Sequence, residues 1–180
     1  FSHRPENSQT FPLFRSVFGC ILKILFKIIV INNYAAAIGQ CEVLDVKAFN
    51  KELMVEAEPI EKNGSTFFVL PPFSYALGVS VELLTMPSNI MGITDGKSTY
   101  ARQGTIINVT PIEPGWSGHL TICIVNPLAF PVRIYANEGI TQLLFYRGNP
   151  CHTTYQDRKG KYQDQKGLTL PFVLGSQPPQ

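Results

Sequence analysis

The sequence has few cysteines, and none is spaced as a zinc ligand. The four are Cys20, Cys41, Cys123 and Cys151, without a Cys-x-x-Cys pair or a histidine at a ligand spacing from two of them. Structural zinc sites use such spacings, so the pattern argues against zinc. Four cysteines in 180 residues also argue against a disulfide framework. We expect four reduced thiols, mostly buried, in a reducing compartment, the cytoplasm or an organelle interior, and not a secreted protein.

Charge is scarce and nearly balanced. Charged residues make up 16% of the chain and the formal net charge is +2. This argues against a nucleic-acid partner, although a few local cations could still bind phosphate. The hydrophobic fraction of 44% argues against disorder, and the length suits one domain with its own core.

A long uninterrupted apolar run is also missing. Phe18–Ile31 is apolar but contains Lys23 and Lys27, and it is shorter than the roughly 20 residues that cross a bilayer. We therefore expect no membrane span. Ile21–Ile31 is predicted as a strand, with a short amphipathic helix as the alternative, and Phe18–Ile31 as a surface that could dock a protein partner.

Fourteen glycines and fourteen prolines divide the rest into short segments, which is typical of a β sandwich or barrel. Asn63-Gly64 predicts a hairpin turn, and Ser98–Gln103 a short helix. Pro87–Ile90 is predicted as a turn, as is Asn32-Asn33. The further predicted strands are Cys41–Phe49, Glu52–Ile60, Thr66–Leu70, Ser74–Leu84, Gly104–Thr110, His119–Asn126, Val132–Tyr135 and Thr141–Tyr146. Residues 1–15 are predicted to form an N-terminal arm and 16–147 the β domain. Residues 148–180 are predicted to form a C-terminal arm that orders on a ligand and closes over its site, with plain disorder as the alternative.

Gly96–Gly104 carries a lysine, a serine and an arginine that could share one side of a helical turn, Lys97, Ser98 and Arg102. Such side chains can hold a polyphosphate, with the arginine as a planar fork and the lysine as a point charge. On its own, the segment is better explained as a solvated helical turn.

Three further blocks follow in order: Asn108–Gly118 (NVTPIEPGWSG), Ile134–Gln142 (IYANEGITQ) and Gly160–Pro171 (GKYQDQKGLTLP). With Gly96–Gly104, their order and spacing resemble bacterial dCTP deaminases from about Phe67 to Pro171. The chain is identified as similar to the dCTP deaminase and dUTPase family. The resemblance implies a mostly β, distorted barrel of the dUTPase type that assembles as a homotrimer, with sites at subunit interfaces.

The resemblance also implies dCTP, dUTP or dTTP as ligands, with Mg²⁺ carried on the phosphates and no zinc. Lys97, Ser98 and Arg102 match the motif that contacts the phosphates and the reacting water. Glu113 stands where relatives have an acidic residue that binds the 3′-hydroxyl and excludes a 2′-hydroxyl. The remaining implied substrate contacts are Val109, Trp116, Gln142, Tyr155, Lys161, Tyr162 and Gln165.

The strand after the Trp116 turn departs from the family pattern, which has a catalytic glutamate at the position of Cys123. The implied catalytic set is therefore Ser98, Arg102 and Cys123. A thiol, with an ordinary pKa of about 8.5, does not replace a carboxylate that moves a proton twice. An activated cysteine nucleophile is the alternative, but Ile122 and Ile124 supply no cation to activate it, so an inert buried thiol is the preferred interpretation.

A second departure lies in Ser16–Lys23, where Cys20 and Ile21 replace the family's Tyr-Asp pair and make the expected pocket wall apolar. Two hypotheses follow: a dCTP deaminase whose catalysis is reduced or lost, or a non-catalytic trimeric descendant that serves as a structural or regulatory subunit. A direct dUTPase is third, because the tail lacks that family's Gly-rich phosphate-binding arm.

Overall fold

A computed structural model describes residues 16–31, 46–47 and 54–172. The described part is mostly β, with ten strands and one short helix. The elements are β1 (Ser16–Ile31), β2 (Met54–Glu56), β3 (Ile60–Lys62), β4 (Ser65–Leu70), β5 (Ser74–Thr85), β6 (Ile90–Gly96), α1 (Ser98–Ala101), β7 (Ile106–Asn108), β8 (Ser117–Asn126), β9 (Val132–Tyr135) and β10 (Gly139–Arg147).

Two sheets form the domain. The larger has the order β6-β10-β1-β5-β8-β7, with β2 beside β1, and the smaller has the order β3-β4-β9. The first half of β1 pairs with β10 and the second half with β5, and the register shifts between Leu22 and Lys23 and again between Ile24 and Ile28. Such irregularities bend a strand, so β1 can pair with β10 along its first half and with β5 along its second half in a distorted barrel.

Strict alternation along β8 builds the core. Every second residue from Gly118 to Asn126 is buried, and the residues between them are half-buried. Ile122 and Ile124 are fully buried and pack with Phe68, Ile134 and other apolar side chains. The period of two therefore points the intervening residues, among them Cys123, away from this core.

The buried side chain of Asn126 fixes the end of β8. Its Nδ2 donates to the carbonyl oxygens of Leu70 at 3.3 Å, Pro71 at 2.8 Å and Phe130 at 3.0 Å. Its Oδ1 accepts from the backbone N–H of Leu128 at 3.1 Å. One side-chain amide therefore satisfies backbone groups of the loop before β5 and of the loop before β9.

Most of the predicted strands are confirmed. β9 has the predicted bounds, β1 is a strand rather than a helix, and Asn63 and Gly64 turn the β3–β4 hairpin with φ of 53° and 75°. The predicted strand Glu52–Ile60 is wrong as a single strand, because β2 pairs with β1 whereas β3 pairs with β4.

The predictions at Asn32-Asn33 and across most of Cys41–Phe49 lie outside the described residues, as do residues 1–15 and 173–180 of the two predicted arms. In the part of the chain that is described, no helix is long and apolar enough to cross a membrane.

Candidate functional site

A cavity of about 490 Å³ opens between β5, β8, the loop that precedes β8, and the tail that follows β10. β5 and β8 pair antiparallel and supply one wall. The lining residues are Tyr75, Leu77, Asn108, Val109, Thr110, Pro111, Ile112, Glu113, Trp116, Leu120, Thr121, Cys123, Tyr155, Tyr162, Gln165, Thr169 and Pro171.

Cys123 lies in the strand wall of the cavity. Its neighbours across the ladder are Leu77 on β5 and Asn108 on β7. The Tyr75 hydroxyl donates to the Cys123 sulfur at 3.2 Å. Tyr75 and Leu77 share one face of β5 because side chains alternate along a strand. Tyr75 is not among the predicted site residues, although the alternation in Ser74–Leu84 places it on the same face of the strand as Leu77.

The loop before β8 is fixed from both ends. Gly92 and Ile112 exchange two backbone hydrogen bonds of 2.8 Å, and the N–H of Trp116 donates to the carbonyl oxygen of Glu113 at 3.2 Å. Trp116 is buried, and its Nε1 donates to the carbonyl oxygen of Tyr162 at 2.7 Å. The loop therefore holds the single tryptophan of the chain between the cavity and the tail.

The tail runs beside β8 as a parallel segment. Gly118 and Gln165 form a parallel bridge, the N–H of His119 donates to the carbonyl oxygen of Gln165, and the N–H of Asp164 donates to that of Ser117, both at 2.8 Å. A Cβ on Gly118 would lie 2.7 Å from the Gln165 backbone nitrogen, and φ at Gly118 is 144°. Only glycine fits this close approach without displacement.

Tyrosines join the tail to the cavity. The N–H of Tyr162 donates to the Tyr155 hydroxyl at 2.9 Å, and the N–H of Phe172 donates to the Tyr162 hydroxyl at 3.2 Å. The N–H of Tyr155 donates to the carbonyl oxygen of Pro114 at 2.9 Å. Both rings therefore line the cavity in defined positions.

Glu113 is the one carboxylic acid among the described lining residues, and it pairs with Arg158 of the tail. The Arg158 guanidinium also lies 5.0 Å from the centre of the Tyr155 ring. The two charged side chains are 41% and 52% exposed respectively, so the pair lies at the rim of the cavity.

Three hydrogen bonds between Thr154 and Asp157 close the turn that carries Arg158. The Asp157 carboxylate accepts from the Thr154 N–H at 2.8 Å and from its hydroxyl at 2.7 Å, and the Asp157 N–H donates to that hydroxyl at 3.2 Å. This is the geometry of a capping box. The backbone N–H and then the hydroxyl of Thr154 lower the pKa of Asp157.

The structure separates the implied contacts into two groups. Val109, Glu113, Trp116, Cys123, Tyr155, Tyr162 and Gln165 line the cavity. Lys97, Ser98 and Arg102 lie at α1 and do not line it; Ser98 and Arg102 are exposed, and Lys97 borders a second cavity of about 590 Å³. Gln142 and Lys161 are also exposed and lie outside the first lining.

Cys20 does not line this cavity, so the expected apolar wall is not formed by Cys20 of the same chain. It lies on β1, opposite Leu143, and is exposed. Cys123 and Cys151 are half-buried, so the expectation of mostly buried thiols is wrong for these three cysteines. Partial burial and then the nearby Glu82 raise the pKa of the Cys20 thiol. The thiol is therefore protonated at neutral pH.

Across the described residues, no group of three or more histidine, cysteine, aspartate or glutamate side chains could hold a metal ion.

A family model for dCTP deaminase-like domains matches residues 33–148. The chain belongs to the dCTP deaminase-like family. It is 50% identical over 137 residues to the dCTP deaminase of Sulfurovum sp. (strain NBC37-1), covering 76% of this chain and 70% of that protein. It is 43% identical over 160 residues to the dCTP deaminase of Helicobacter hepaticus, covering 88% and 81% respectively.

A solved structure shows the same fold. The 2′-deoxycytidine 5′-triphosphate deaminase from Agrobacterium tumefaciens superposes with a TM-score of 0.52 at 17% identity. The match covers 72% of this chain and 39% of that one, so this dCTP deaminase-like chain spans well under half of that protein. The predicted family and mostly β fold are thus confirmed, and the homotrimer stays a prediction.

Proposed function

We propose that this dCTP deaminase-like chain binds a pyrimidine deoxynucleoside triphosphate in the Cys123 cavity and deaminates dCTP far more slowly than its relatives. The cavity volume of about 490 Å³ falls in the range of small-molecule sites, which is about 300–1,000 Å³. Two relatives, at 50% and 43% identity, are dCTP deaminases, which supports dCTP as the first ligand. The family resemblance adds dUTP and dTTP as further proposed ligands.

The proposed slow rate rests on the side chain at position 123, which is a cysteine. Water attack on a cytosine ring needs a base that takes up and returns a proton, and such a group contributes about 10²–10⁴ in rate. The cavity wall here presents a thiol that accepts a hydrogen bond from Tyr75. Glu113 does not substitute for it, because its carboxylate is paired with Arg158 at the rim.

The proposed binding mode places the sugar at Glu113 and the base in the wall formed by Trp116 and Cys123. The phosphates would be held by Lys97, Ser98 and Arg102 of another subunit in a homotrimer, with Mg²⁺ carried on the phosphates. The separation of α1 from the cavity within one chain supports this arrangement.

Calorimetric titration with dCTP, dUTP and dTTP in the presence of Mg²⁺ tests binding. We expect Arg102→Ala to weaken binding by about 1–3 kcal/mol, the scale of a hydrogen bond to a charged group. Lys166→Ala is the matched control, because Lys166 is exposed in the tail and outside the cavity lining. Absence of binding to all three nucleotides by the unmodified chain would contradict the proposal.

The same cysteine favours the alternative function, a non-catalytic descendant that senses nucleotide or serves as a structural subunit. A coupled ammonia assay with dCTP separates the two. Binding with slow ammonia release supports the reduced enzyme, whereas binding with release no faster than that in buffer supports the regulatory or structural role.

A further inference from the structure

The ion pair between Glu113 and Arg158 joins the sugar end of the cavity to the tail. We propose that Arg158 is a positioning residue, which orients the Glu113 carboxylate so that it recognises the 3′-hydroxyl and opposes a 2′-hydroxyl. This inference rests on the proposed nucleotide site, and Arg158 is not among the tail residues that the family resemblance implies.

Three contacts hold Arg158 in place. The capping box of Thr154 and Asp157 fixes the turn, and the backbone N–H of Arg158 donates to the carbonyl oxygen of Thr154 at 3.2 Å. The guanidinium lies 5.0 Å from the centre of the Tyr155 ring, within the range of a cation–π contact. A guanidinium held in this way presents its donors to a carboxylate in one direction.

Apart from its ion pair with Arg158, Glu113 is held through its backbone and that of its neighbour Ile112. Ile112 before it is bonded to Gly92, and its own carbonyl oxygen accepts from the N–H of Trp116. The side chain is 41% exposed, and Arg158 Nη2 is its hydrogen-bond partner among the described residues, through Oε2. Without Arg158, the carboxylate would gain several rotamers facing water. With it, Oε1 stays available to accept from a sugar hydroxyl.

Titration with three nucleotides distinguishes orientation of the Glu113 carboxylate by Arg158 from a general contribution of Arg158 to tail docking. The probes are dCTP, CTP and 2′,3′-dideoxycytidine triphosphate, each with Mg²⁺. We expect Arg158→Ala to weaken dCTP binding roughly tenfold, the equivalent of one charge-assisted hydrogen bond, and to leave the dideoxy nucleotide within about twofold. The ratio of the dissociation constant for CTP to that for dCTP should become smaller. Arg158→Lys keeps the charge without the planar fork, so it should fall between the two.

Two controls complete the experiment. Lys166→Ala removes a tail cation outside the cavity lining and should leave all three affinities unchanged. Fluorescence of Trp116, which is bonded to Tyr162, reports whether the tail of each variant is docked. An equal loss for all three nucleotides, or no loss for any, would overturn the role of Arg158. If the unmodified chain binds none of them, the proposed nucleotide site itself fails.

Discussion

The hydroxyl of Tyr75 donates a hydrogen bond to the sulfur of Cys123 across 3.2 Å. The donor comes from β5 and the acceptor from β8, and both residues line the same cavity. Sulfur is a weak acceptor, whereas a carboxylate would accept strongly from the same phenol. The wall of the cavity therefore already contains a donor that suits an acid at position 123.

Cys123→Glu should raise ammonia release from dCTP above that of the unmodified chain without reaching the rate of a glutamate-bearing relative. The new carboxylate can accept from Tyr75, but Leu77 across the ladder leaves it in a partly apolar wall that raises its pKa. Cys123→Gln, which has the same shape without the charge, should give no gain. The unmodified chain should be at least about 10²-fold slower than the relative. Turnover on the order of 1 s⁻¹ in the unmodified chain would refute the reduced-enzyme proposal.

Gly118→Ala should detach the tail from β8. The added Cβ would overlap the backbone nitrogen of Gln165, and the φ of 144° is unfavourable for alanine. Trp116 fluorescence should shift as its bond to Tyr162 is lost, and trypsin should cleave the tail faster. Gly167→Ala is the matched control, because a Cβ there meets nothing within 4 Å. Identical cleavage rates in the two variants would contradict the close packing of Gly118 against Gln165.

Asn126→Ala should lower the free energy of unfolding by about 2–4 kcal/mol, because three backbone carbonyl groups and one N–H lose a buried partner. Urea denaturation followed by circular dichroism measures the change. Asn149→Ala, at an exposed position, should stay within about 0.5 kcal/mol of the unmodified chain. Equal midpoints for the two variants would show that the amide does not support the two loops.

Acid should loosen the tail turn at Asp157. Since the folded state lowers the pKa of this carboxyl, its contribution is present above the unfolded value of about 3.9 and is lost as pH falls through the lower folded pKa. Asp157→Asn should weaken docking already at pH 7 and flatten the response below pH 4. Trp116 fluorescence recorded between pH 7 and pH 3 for both chains measures this difference. Parallel curves would assign the transition to other acids.

Light scattering should report an assembly of three chains, each of 20.0 kDa. The family resemblance implies the number three. The separation of Ser98 and Arg102 at α1 from the cavity that holds Glu113 and Cys123 supports a site shared between chains. A stable monomer that still binds dCTP would contradict the composite site.

Local patterns predicted the parts of the fold that local chemistry decides. Asn63-Gly64 tolerates positive φ at both positions, so its hairpin needs no distant contact. β6 was not predicted, because Gly92 and Gly96 weaken its strand pattern. Glycine is needed at position 92 because of a residue far along the chain: a Cβ there would lie 2.9 Å from the side chain of Leu143.

The residues of the candidate site also divide into those that one contiguous segment predicts and those that distant parts of the chain bring together. The family blocks predicted Glu113 and Trp116 because their motif is contiguous. Tyr75 contacts Cys123 from 48 positions away, and Arg158 contacts Glu113 from 45 positions away. Such pairs depend on sheet register and on the path of the tail, which no single segment encodes.

The division of β1 between two partners sets an order for folding. Its first half pairs with Gly139–Arg147 and its second half with β5, so Ser16–Lys23 leaves the ribosome long before its partner is synthesised. Closure of the sheet is consequently among the last steps, and pairings across such long sequence separations are slow to form. Until then, the first half of β1 presents an open edge, which makes the growing chain a candidate for chaperone binding.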